Sequence, residues 1–282
     1  MQGILTIARL TWLEARRRRI LLAAVLGGLA FVLAFATAVY FARDIAGVEG
    51  IASAGALQAR VTLLTLLVMA LYVVNFLTIA VAIMLPLDTL SGEIDSGVIQ
   101  TLASKPIARS AIVLGKWLGY WCMTAAYLVL LVGGILLSLR VLAGFAPPPA
   151  VPLTVVLMML GATVMLTVTI AGGVLFKTVT NGIVAFAFYG IAFIGGWVEQ
   201  IGAFARSDAM RHVGTAISLV NPADAMWRRA TYELTPGVIR DLQLLGPLAA
   251  SSVPNAAMIA WAVGFVVVVL FVALRQFQRR PL

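Results

Sequence analysis

The chain has 282 residues, 62% of them hydrophobic and 11% charged, against about 25% charged in soluble globular domains. That balance excludes a soluble globular domain and makes the chain an integral membrane protein. Its net charge of +9 comes from Lys and Arg that mostly flank apolar runs, where they meet anionic headgroups rather than nucleic acid. The single cysteine, Cys122, excludes an intrachain disulfide and a thiolate metal cluster.

Residues 1–19 read as an amphipathic helix, with Ile4, Leu5, Ala8, Trp12 and Ala15 on one side, Arg9 and Arg16 at its edge and an Arg cluster beyond. Two readings stay open: a helix lying in the cytoplasmic headgroup layer, or the cytoplasmic start of a tilted first crossing. Residues 20–282 form one six-helix transmembrane domain. A crossing needs about 20 apolar residues, and the runs 20–41, 61–85, 118–139, 151–176, 178–198 and 256–274 qualify. The first is too long for a secretory signal core of roughly 7–15 residues. Only the polar patch 177–181 parts the fourth run from the fifth. Between the second and third runs, 86–117 is a compact polar insert. Pro147, Pro148, Pro149 and Pro152 turn the chain between the third and fourth.

Before the last crossing lies a segment at 199–254 in which Asn221-Pro222 and Thr235-Pro236 each mark a helix start. Trp227, Arg228, Arg229 and Tyr232 are residues of an interface type, so short helices at, or dipping into, the outer surface are expected. The Lys and Arg of the short flanks place both termini and the 86–117 insert in the cytoplasm and 199–254 outside. The fold class is therefore all-α integral membrane: six transmembrane helices, an N-terminal amphipathic interfacial helix, a cytoplasmic elbow and short outer helices.

Much of the chemistry is decided by absence. None of the six runs, so bounded, contains Asp, Glu, Lys, Arg or His, whereas ion-coupled carriers generally place an ionisable group at mid-membrane. His212 is the one histidine, which leaves no HExxH and no His pair for zinc. A GxSxG frame is lacking. Gly115-Lys116 fails as a phosphate loop, because Ser110 stands where a glycine is required and Trp117 where Ser or Thr is required. The chain is expected to be no enzyme, with no catalytic, cofactor-binding or metal residues of its own.

The insert is the richest stretch. Ser91 caps a helix whose first turns hold Glu93 and Asp95. Val98, Ile99 and Leu102 supply its apolar contacts, Pro106 breaks it, and 107–114 lead back to Lys116. The physics allows a rigid two-helix elbow or an ordinary solvated connector. The order Gly92-Glu93, Gly97, Thr101-Leu102, Ser104-Lys105-Pro106, Arg109 and Leu114-Gly115-Lys116 closely resembles the first cytoplasmic loop of ABC transporter permeases of the ABC-2 export type. The rest of the layout is similar to that six-helix family too. Val98 and Ala103 depart from its pattern, which often has Thr and Leu there.

The resemblance implies a transmembrane permease subunit of an ATP-binding cassette exporter in a prokaryotic cytoplasmic membrane. A separate ABC ATPase subunit would bind ATP and Mg, dock under the loop and couple hydrolysis to transport. The coupling residues would be Gly92, Glu93, Asp95, Gly97, Val98, Thr101, Leu102, Pro106, Arg109 and Lys116. A second permease copy or paralogue would complete the complex within membrane lipid. Asn75, Thr78, Thr163 and Thr167 either line an uncharged pathway or pack helices together, and glycines such as Gly27, Gly28, Gly133, Gly134, Gly161, Gly195 and Gly196 allow close helix contact. The alternative function is a non-transporting membrane scaffold or assembly factor that recruits a cytoplasmic partner.

Overall fold

The computed structural model describes residues 2–16, 19–45, 55–89, 92, 108–237 and 252–279. Among them are nine helices: α1 (Gln2–Ala15), α2 (Arg19–Ile45), α3 (Gly55–Met84), α4 (Arg109–Ala143), α5 (Val151–Leu175), α6 (Thr178–Phe204), α7 (Asp208–Val220), α8 (Ala223–Leu234) and α9 (Ala256–Arg279). Six of them, α2 to α6 and α9, are long and apolar enough to cross a membrane. A helix satisfies every backbone group within one segment, as hydrocarbon demands. The fold is therefore an all-α, multi-pass membrane bundle.

α5 is the centre. In its most apolar window 72% of residues are buried, against 11% in α2 and 17% in α9, so α2 and α9 lie at the periphery. The helix breaks follow the turn chemistry. Gly144 takes φ +60° and its amide bonds Leu139 O, closing α4; Pro152 then stands in the first turn of α5. α5 and α6 are parted by extended backbone at Phe176 and Lys177, and Asn181 pins the turn by donating Nδ2 to Thr169 O at 3.0 Å.

α1 lies along the start of α4. Gly115 and Gly119, one turn apart, let Ile4 O, Ile7, Ala8 O and Thr11 come so close that a Cβ at either would sit 2.6–3.0 Å from them. Ile7, Thr11 and Ala15 are buried, while Leu5, Leu10 and Leu13 are exposed. The buried face is thus rotated from the one the apolar pattern suggests, because a two-glycine groove selects a slim contact over the bulkiest one.

Helices also outrun the apolar runs. α4 begins at Arg109, well before residue 118, and takes in Lys116. α6 continues through Glu199 to Phe204. Both Lys116 and Glu199 are buried, so the ionisable groups that the apolar runs excluded enter the packed interior at helix ends. α7 folds back on α6 after a tight turn in which Arg206 takes φ +54° and Ser207 N bonds Gly202 O at 2.8 Å.

Candidate functional site

Two clusters sit at opposite ends of the bundle. The first surrounds the α1 end, where 86–89 leave α3 and Arg109 opens α4. Lys116 Nζ donates to Thr89 O at 3.4 Å, and Thr89 Oγ1 and Tyr120 OH are hydrogen-bonded. Asp88 Oδ1 accepts from Thr178 Oγ1 at 3.1 Å, and Leu87 lies against Gly182, 3.2 Å from where a Cβ would be. Gly92 N bonds Asp88 O at 3.0 Å. Arg109 Nη1 donates to Gln278 O at 3.3 Å, reaching the far end of α9.

The polar insert therefore leaves and re-enters the bundle through residues tied to α4, α6 and α9. Of its expected site residues, Gly92, Arg109 and Lys116 stand in this cluster, with Lys116 turned inward rather than toward headgroups. Glu93, Asp95, Gly97, Val98, Thr101, Leu102 and Pro106 lie outside the described residues, as does the helix expected to follow Thr235-Pro236.

The uncharged polar candidates of the crossings are all buried. Thr163 Oγ1 accepts from Trp121 Nε1 at 3.0 Å and donates to Met159 O at 2.6 Å. Thr167 Oγ1 accepts from Trp117 Nε1 at 2.9 Å and donates to Thr163 O at 2.7 Å. These two threonines join α4 to α5. Thr78 donates to Val74 O at 2.7 Å within α3, and Asn75 sits one turn earlier on the same helix.

The second cluster, at the α7–α8 end, escaped the sequence reading. Arg228 of α8 is 1% exposed. Its Nη1 pairs with Glu199 of α6 at 3.0 Å and its Nε with Asp224 at 3.1 Å. Its Nη2 donates to Ser218 Oγ of α7 at 2.8 Å, and Ser218 in turn donates to Glu199 Oε2 at 3.3 Å. Ser252 Oγ donates to Glu199 Oε1. One guanidinium thus joins α6, α7 and α8 to the segment entering α9.

Glycines make this approach possible. A Cβ at Gly196 would fall 1.7 Å from Asp224 Oδ2, and one at Gly214 would fall 2.4 Å from the Glu199 Cβ. Burial lifts Asp224 from 3.8 to about 6; Arg228 opposes that rise and Glu199 adds to it. Beside it, Tyr72, Trp197, Gln200 and Trp227 line a cavity of about 20 Å³, room for about one water and no substrate.

α8 corrects the expectation of interface residues. Trp227 is buried edge-on to Tyr72, with centroids 5.6 Å apart. Arg229 points the other way, donating to Pro254 O at 3.2 Å and pairing with Glu233. Asn221 does mark the helix start: its Oδ1 accepts from Ala223 N at 3.1 Å, while its Nδ2 donates to Phe188 O at 3.0 Å. A sequence signal existed in the i, i+4 pair Asp224 and Arg228.

The sequence profile of the ABC-2 family transporter proteins matches residues 5–282. No individual curated protein matches the chain. The match spans all six candidate crossings, both clusters and α1 from Leu5 onward, and the chain belongs to the ABC-2 transporter family.

Proposed function

We propose that the chain is the transmembrane permease subunit of an ATP-binding cassette exporter, with a separate ATPase docking on the face that carries the polar insert. The observation that carries this reading is the anchoring of the insert at both ends. Force applied between residues 92 and 109 has short, hydrogen-bonded routes into α4, α6 and α9 through Lys116, Asp88 and Arg109. A connector needed only for continuity would not require them.

In this reading the α1 face is cytoplasmic in a cell membrane, ATP and Mg belong to the partner, and two permease copies, identical or related, move substrate between them by alternating access. Glu93 supplies an acidic contact to the ATPase. The experiment is co-purification of the chain with its cognate ATPase and measurement of ATP hydrolysis. Glu93→Lys is expected to cut transport-coupled hydrolysis at least tenfold or to release the ATPase, with the fold intact. Unchanged assembly and unchanged hydrolysis would refute coupling through this insert.

A further inference from the structure

The first turns of α4 carry three pairs of residues spaced i, i+4, and each pair grips a different neighbour. Gly115 and Gly119 admit α1. Lys116 and Tyr120 hold Thr89, where the chain leaves α3 for the insert. Lys116 Nζ donates to the Thr89 carbonyl oxygen at 3.4 Å, and Tyr120 OH is hydrogen-bonded to Thr89 Oγ1. Trp117 and Trp121 donate to Thr167 and Thr163 of α5 at 2.9 and 3.0 Å. Successive residues of a helix stand about 100° apart, so one short stretch of α4 meets all three neighbours at once.

Burial makes these contacts hard to give up. Thr89, Lys116 and Tyr120 are all buried, and pulling Thr89 away from α4 breaks hydrogen bonds that no water is at hand to replace. An indole N–H between membrane helices is in the same position. When α4 moves, keeping both indole bonds requires α5 to move with it. α5 is the most buried of the crossings, so a displacement passed to it arrives at the centre of the bundle.

We propose that Tyr120 is the positioning residue that makes α4 follow the insert, and that Trp117 and Trp121 carry α5 along. A displacement at residue 89 then tilts α4 and α5 as one body. This inference rests on the reading of the insert as the ATPase contact, and it names the residues through which that contact acts.

The test uses the complex of the full chain with its cognate ATPase, carrying Cys122→Ser and Ala150→Cys. Residue 150 is half-buried at the outer end of α5. Its rate of modification by a membrane-impermeant maleimide is compared between nucleotide-free complex and complex trapped with ATP and orthovanadate. In the wild-type background that rate is expected to change by about threefold or more. Tyr120→Phe and Thr89→Val should each cut the change to under about 1.5-fold while the ATPase still co-purifies and hydrolyses ATP. Trp117→Phe combined with Trp121→Phe should do the same, whereas Thr89→Ser keeps the hydroxyl and should keep the response. Combining Thr89→Val with Tyr120→Phe removes both hydroxyls together, so the double variant should unfold closer to the wild type than either single variant and still not respond. Tyr127→Phe removes another buried α4 hydroxyl, bonded to Ala24 O at 3.1 Å, and should respond in full. A full response in Tyr120→Phe, or its loss in Tyr127→Phe, overturns the inference and leaves the ATPase contact standing. A wild type that binds the ATPase without any response at residue 150 overturns it as well. One that binds no ATPase overturns the proposed function, and this inference with it.

Discussion

At Arg228 one guanidinium faces two carboxylates, so the cluster holds one negative charge in excess where water is nearly absent. Such a group relieves itself by taking a proton, and Asp224, raised from 3.8 to about 6, is the acceptor. The native state then binds that proton more tightly than the unfolded chain does. Its contribution to stability is fully present below about pH 4 and is lost as pH rises through about 6. Asp224→Asn keeps an oxygen for Arg228 Nε and removes the excess charge. The variant should lack this fall between pH 4 and 7 and should match or exceed the wild type at pH 8. Thermal unfolding in detergent across that range, taken as the difference between the two proteins, measures it; parallel curves would mean that Asp224 does not carry the proton.

Glycines at the element scale divide into those that hold helices together and those that do not. A Cβ at Gly161 would lie 2.9 Å from the Ala223 carbonyl oxygen, a backbone atom that moves only if α8 moves, whereas Gly133 meets nothing within 4 Å. Gly161→Ala should therefore cost about 1–3 kcal/mol, and Gly133→Ala should be neutral or favourable by up to about 1 kcal/mol. Equal effects in detergent unfolding would dismiss α8 as a packed element of the bundle. Both glycines look alike in sequence, since each lies in an apolar run and only the neighbour distinguishes them. The same limit explains what else was legible. Crossings reveal themselves by local composition, and the six runs all appear. The burial of α8 depends on partners from α3, α5 and α6, so Trp227 and Arg228 read as interface residues until Tyr72 and Glu199 are placed beside them. Glu199 escaped notice because it stands just past an apolar run while its helix continues.

For the whole molecule, the arrangement of the crossings sets the two clusters on opposite sides of the membrane. α6 has 27 residues, about 40 Å at 1.5 Å per residue, enough to carry its two ends beyond a hydrocarbon core of about 30 Å. Lys177 precedes it and Asp208 follows its closing turn; both are exposed. The proposed orientation, drawn from the Lys and Arg bias, has Lys177, the insert and both termini on the cytoplasmic side. Single cysteines at these two positions, with Cys122 replaced by Ser, should then react with a membrane-impermeant maleimide from opposite faces. In intact cells Asp208→Cys should label and Lys177→Cys should label only after the membrane is opened. The reverse pattern would invert the protein and leave the polar insert without access to a cytoplasmic ATPase. Labelling of both from outside would remove α6 from the set of crossings.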